Sequence, residues 1–109
     1  MEKQLAKKLL SYGREMYLSI VRSTTRKKVL NYLKNNGIAT PFEISRRTGL
    51  DYANVRGAIF GNGRRFAKET SLQFLGLVKS EPGPKGSTLY SLTPEGLKIA
   101  GMIEQMSVP

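Results

Sequence analysis

In the stretch "SRRTGLDYANVRGAI", residues 45–59, arginines at positions 46, 47 and 56 are interleaved with Tyr52 and Asn54, and Arg64 and Arg65 follow close behind. A guanidinium presents a planar fork of donors, and a carboxamide sets a donor beside an acceptor. Both suit phosphate oxygens and the edges of nucleobases, where arginine pairs with guanine and asparagine with adenine through two hydrogen bonds. Arginines scattered over a solvated face would bind nothing in particular. The elements that carry them decide between these cases.

Other chemistries are poorly supplied. The chain has no histidine and no cysteine, so the commonest general base, thiolate catalysis, disulfides and the usual zinc ligands are all absent. The eight carboxylates are dispersed, with no pair on one helix face for acid–base work or magnesium. Gly57 to Gly63 does not spell a phosphate-binding loop, and the glycines at 61 and 63 lack the third member of a dinucleotide fingerprint. No catalytic residue, metal ligand or cofactor is expected.

The charge is placed unevenly. Eighteen Lys and Arg against eight Asp and Glu give +10 and a pI near 10.2, a balance that attracts polyanions. Residues 1–36 carry a net +7 and residues 46–68 a net +5, so the excess lies in the N-terminal third and around the arginine stretch. No apolar run approaches the roughly 20 residues needed to span a bilayer, and the N-terminus lacks the pattern of a secretory signal. A soluble, cytoplasmic protein without membrane contact is expected.

The apolar spacing supplies the elements. Leu5, Leu9, Met16 and Ile20 recur at helical intervals across residues 3–22, with Gly13 in the middle. This amphipathic helix, or pair of short helices, either packs on its own domain or is exchanged with a partner subunit. A helix over about 25–36 buries Val29, Leu30 and Leu33 and ends at Asn36-Gly37, and Ile38-Ala39 forms a short strand. "TPFE" starts another helix, with Thr40 as N-cap, Pro41 in the first turn and Glu43 completing a capping box. That helix ends near Gly49, and Asp51 caps the next, which turns Val55, Ala58 and Ile59 inward. "FGNGRR" interrupts it, and residues 64–75 are expected to be helical again, with Phe66, Thr70 and Phe74 on one side. Segments 77–81 and 88–92 form a hairpin around "PGPKG", with Tyr90 on its inner face. A last helix begins at Thr93-Pro94 and turns Leu97, Ala100, Met102 and Ile103 inward.

The small residues follow from the crossing of two short helices. Ser45 permits a close approach, Gly49 frees the turn, and Val55 wedges the second helix back on the first, with Ile44, Leu50 and Ala58 beside it. Such a pair is a helix-turn-helix. With Val55, Ala58 and Ile59 inside, Tyr52, Asn54 and Arg56 project from the start of the second helix, where a recognition helix meets base edges.

The order helix, strand, helix-turn-helix, hairpin, helix resembles the winged-helix family of DNA-binding transcriptional regulators. "TPFEISRRTGLDYANVRGAI" and "LGLVKSEPGPKGSTLYSLTPEG" carry the resemblance, which spans about residues 24–106. It implies a mainly α fold with a small β-hairpin wing, an N-terminal element over residues 1–22 and a DNA-binding domain over 23–109. It further implies that the second helix of the motif enters the major groove and that the wing tip, at Lys85, lies on a neighbouring phosphate or minor groove. The expected DNA contacts are Thr40, Arg46, Arg47, Tyr52, Asn54, Arg56, Arg64, Arg65 and Lys85. A homodimer joined through the terminal helices is expected on double-stranded DNA, with RNA the weaker alternative. A chain that binds duplexes with little sequence preference, as an architectural or nucleoid protein, fits the basic N-terminal third as well. A docking module that binds a partner protein is the other alternative. One departure from the family pattern is the segment "FGNGRRFAKETS", residues 60–71, inserted between the recognition helix and the wing.

Overall fold

The computed structural model of the chain describes residues 13, 18, 20, 22–63, 67 and 71–107. The N-terminal helix expected over residues 3–22 therefore lies mostly outside the described residues, although Ile20 is helical and wholly buried. Among the described residues there are four α-helices and one three-stranded antiparallel sheet. The arrangement is a winged helix-turn-helix.

Helix α1, Thr24–Asn36, is capped by the Ser23 side chain, which accepts from the Arg26 N–H, and it buries Val29, Leu30 and Leu33. Gly37 ends it at φ 87°, and strand β1, Ile38–Ala39, follows directly. Helix α2, Pro41–Thr48, carries the capping box read from "TPFE": the Glu43 N–H donates to Thr40 Oγ1 and the Thr40 N–H to Glu43 Oε1, both at 3.1 Å. The box satisfies two of the donors that a helix start leaves free, and its hydroxyl contributes about 1 kcal/mol. Helix α3, Tyr52–Phe60, starts at Asp51, whose carboxylate accepts from the N–H groups of Ala53 and Asn54.

The turn from α2 to α3 is stitched by two hydroxyls. Gly49 sits at φ 77° and ψ 4°, a left-handed conformation that a Cβ disfavours, and its N–H donates to the Ser45 carbonyl. Ser45 Oγ donates to the Leu50 carbonyl at 2.7 Å. Thr48 Oγ1 donates to the Ile44 carbonyl and accepts from the Leu50 N–H. The short side chain of Ser45 thus both permits the close crossing and occupies the turn's free acceptor.

Strands β2, Val78–Pro82, and β3, Thr88–Leu92, form the hairpin, and β1 adds to β3 in the order β1-β3-β2. Val78 pairs with Leu92 and Pro82 with Thr88, while Ala39 pairs with Tyr90. Helix α4, Pro94–Ser107, closes the fold against α1, where Lys34 pairs with Glu104 at 2.6 Å. Its inner face is Ile99, Ala100 and Ile103. Leu97, expected inside, is 50% exposed, because the face turned to α1 begins two residues later. Gly96 explains the tight start of this helix: a Cβ there would lie 2.0 Å from the Leu77 carbonyl oxygen.

The described end of the helix expected over residues 64–75 is not helical. Residues 71–76 are successive turns, and residues 64–66 and 68–70 lie outside the described residues. The N–H groups of Leu72 and Gln73 donate to the carbonyls of Ala58 and Ile59 at 2.9 and 2.8 Å. The returning chain therefore supplies donors to the end of α3, where helical partners have run out. Leu72 is fully buried, whereas Phe74, expected on an apolar helix face, is 61% exposed.

Candidate nucleic-acid interface

The exposed face of α3 and its neighbours is built from alternating cations and aromatic rings. Tyr52, Arg56 and Phe60 follow one another at four-residue intervals, so they stand in one row along the helix. The Arg56 guanidinium lies 5.6 Å from the Tyr52 ring centroid and 5.2 Å from that of Phe60. The row continues at both ends. Phe42, on the first turn of α2, meets Tyr52 edge-on with centroids 6.2 Å apart, and the Arg46 guanidinium lies 5.9 Å from the Phe42 centroid. At the far end Phe60 stacks on Tyr90 of β3 at 6.3 Å. One ladder thus runs from α2 across α3 into the wing.

The ladder fixes Arg56. A free arginine side chain forfeits rotamer entropy when it binds, whereas a guanidinium already held between two rings has lost much of it. Beside it, a cleft of about 400 Å³ opens between α3 and the wing, lined by Thr40, Phe42, Tyr52, Arg56, Phe60, Thr88 and Tyr90. Burial raises the Tyr90 phenol above the ordinary tyrosine value, and the nearby Arg56 charge pulls it back down in part. The phenol is neutral near pH 7 and can donate a hydrogen bond into the cleft.

The other expected contacts occupy distinct places. Arg46 and Arg47 are exposed on α2 and, with Phe42 and Glu43, line a separate notch. Thr40 sits at the mouth of the cleft with its hydroxyl already accepting from Glu43. Asn54 is half-buried and stands off the Tyr52–Arg56–Phe60 row. Lys85 is exposed at the wing tip in a short 3-10 turn, Pro84–Gly86, at φ 54°, the one positive φ outside glycine among the described residues. The Gly83 N–H donates to the Ser87 carbonyl and the Ser87 N–H and hydroxyl to the Pro84 carbonyl, which hold the tip closed. Arg64 and Arg65 lie outside the described residues.

Phe42, Phe60 and Tyr90 are the members absent from the contacts expected from sequence. The four-residue spacing of Tyr52, Arg56 and Phe60 was visible in the sequence. The partnership of Phe42 with Tyr52 was not, because it depends on how α2 crosses α3. Among the described residues no group of acidic or metal-ligating side chains is placed to hold a metal ion, and no helix is long and apolar enough to cross a membrane.

A family model described as EarA-like matches residues 16–103. The chain belongs to the EarA-like family. The matched span takes in every described element of the winged helix up to Ile103 on α4. No curated protein matches this EarA-like chain. Among solved structures it is similar to ZitR from Lactococcus lactis. A double mutant of ZitR superposes with a TM-score of 0.60 at 21% identity, over 77% of this chain and 51% of the ZitR chain. A single-site mutant gives 0.61 over the same shares. The apo form of the double mutant gives 0.60 at 18% identity, over 94% of this chain and 67% of that one. The chain thus spans about half the length of the first two of these ZitR chains and about two thirds of the third. At these identities the likeness establishes the fold.

Proposed function

We propose that this EarA-like protein binds double-stranded DNA with sequence preference and acts as a transcriptional regulator. The observation that carries the reading is the ladder on the exposed face of α3, with Arg56 held between Tyr52 and Phe60 beside the wing. A helix is about 10–12 Å across and the major groove about 12 Å wide, so α3 fits with Tyr52 leading and Arg56 at the base edges. Arg46, Arg47 and Lys85 then stand where phosphates flank the groove, and Arg64 and Arg65, which follow α3 in sequence, add positive charge to the same segment. The wing lies on the adjoining backbone or minor groove. A regulator built on the winged-helix fold, which the ZitR likeness supports, is consistent with this reading.

The acting unit in this reading is a homodimer, assembled through residues 1–22 and α4, with one α3 for each half-site. No catalytic step and no cofactor belongs to it. Selection of sites from random duplex DNA at near-physiological salt tests the reading. A palindrome or paired half-sites, with centres about one helical turn apart, is the expected result. Retention without a motif would replace regulation with architectural binding, and no retention would refute DNA binding altogether.

A further inference from the structure

Phe42 carries an unexplained cost. It is 58% exposed on the first turn of α2, where the helix start is already satisfied by Thr40 and Glu43, and the core beneath is filled by Ile44. Its ring does not float. The Tyr52 ring meets it edge-on at 6.2 Å, itself 44% exposed, and the Arg46 guanidinium lies over it. Two large apolar faces are thus held in a fixed arrangement at the leading edge of α3 before any ligand arrives.

The surroundings narrow the choice of ligand. Arg46, Arg47 and Arg56 flank the two rings, and the acids of this face, Glu43 and Asp51, are engaged in capping α2 and α3. A partner must therefore offer apolar contact and dense negative charge within a few ångströms of each other. The major groove of DNA does so wherever thymine occurs, since its 5-methyl group projects into the groove between two phosphate backbones. The first residue of a recognition helix lies at the base edges, and that residue is Tyr52.

We infer that Phe42 and Tyr52 form an apolar clamp for the 5-methyl group of thymine, which makes Phe42 a specificity-determining residue outside the recognition helix. The inference rests on the DNA-binding reading above and names what that site prefers. Each half-site then carries a thymine next to the base pair read by Arg56. Removal of one such methyl forfeits the burial of a single carbon, which corresponds to about a fourfold loss in affinity.

The test replaces the thymines of a selected duplex by uracil, one at a time, which deletes the methyl and leaves base pairing intact. With the natural protein, one position per half-site is expected to lose about fourfold in affinity, and with Phe42→Ala the same replacement is expected to cost nothing. Irradiation of a duplex bearing 5-iodouracil at that position needs no variant, and it is expected to attach the base to Phe42 or Tyr52. Uniform tolerance of uracil, a loss that persists in Phe42→Ala, or attachment at another residue overturns the clamp while leaving DNA binding intact. Failure of selection to yield any duplex overturns the DNA-binding reading and the clamp with it.

Discussion

Replacing Arg56 by lysine keeps the charge and removes the fork. The structure sets the size of the effect. The guanidinium, placed 5.6 and 5.2 Å from two ring centroids, is oriented in advance, and an ammonium cannot make the same paired contact with a guanine edge. A bidentate arginine–guanine pair discriminates by about 1–3 kcal/mol, so Arg56→Lys should weaken a selected duplex by about 5- to 150-fold. A scrambled duplex should change by less than about twofold, because phosphate attraction is retained. Arg56 is exposed, so loss of its two ring contacts should cost the fold no more than about 1–2 kcal/mol. Fluorescence anisotropy on both duplexes at several salt concentrations measures the affinities, and thermal melting checks the fold. Substitution of 7-deazaguanine for the contacted guanine should weaken the natural protein and leave Arg56→Lys almost indifferent, a coupling that a double-mutant cycle reads directly. Equal losses on matched and scrambled duplexes would refute the role of Arg56 as a base reader.

Lys85→Ala should weaken matched and scrambled duplexes alike and reduce the slope of log K against log salt by about 0.9, as for one lost phosphate contact, measured in the same titrations. Gly96→Ala should cost about 3 kcal/mol in denaturant unfolding, since a Cβ at 2.0 Å from the Leu77 oxygen must push α4 away from β2 and strain the bonds from Thr93 to Leu77 and Gly76. A loss below about 1 kcal/mol would mean that the helix start yields more easily than its hydrogen bonds suggest. Tyr90 is held above the ordinary tyrosine value mainly by burial, so its contribution to stability is present below the unfolded-state value and is lost as pH rises through the folded one. Tyrosinate absorbance should register this titration, and Arg56→Ala should move it further upward, because the guanidinium is the cause that lowers it.

The parts of the fold that depend on neighbours in sequence were readable from it. The Thr40–Glu43 box, the Asp51 cap, the left-handed Gly49 and the Thr93 hydroxyl that accepts from the Gly96 N–H each involve residues a few positions apart. Strand β2 begins one residue later than the alternation suggested, at Val78, because Leu77 spends its N–H on the Leu72 carbonyl. What failed depended on distant partners. "SLQFL" has helical spacing, but Leu72 and Gln73 give their N–H groups to the end of α3, and the segment turns instead. Arg26 would ordinarily be assigned to solvent, yet it is 7% exposed on α1, and burial lowers its pKa. The ladder was legible in part: Tyr52 and Arg56 by their chemistry and Phe60 by its four-residue spacing, whereas the pairing of Phe42 with Tyr52 depends on how α2 crosses α3.

Amide proton–nitrogen correlation spectra of the labelled protein, titrated with a selected duplex, test the central claim most directly. Shifts concentrated on Lys85–Ser87 at the wing tip, on the start of α2 and along Tyr52–Phe60 are expected, with the far face of α1 unmoved. Shifts gathered on α1 and α4, with α3 and the wing tip unchanged, would contradict the assignment of this face as the DNA-binding surface.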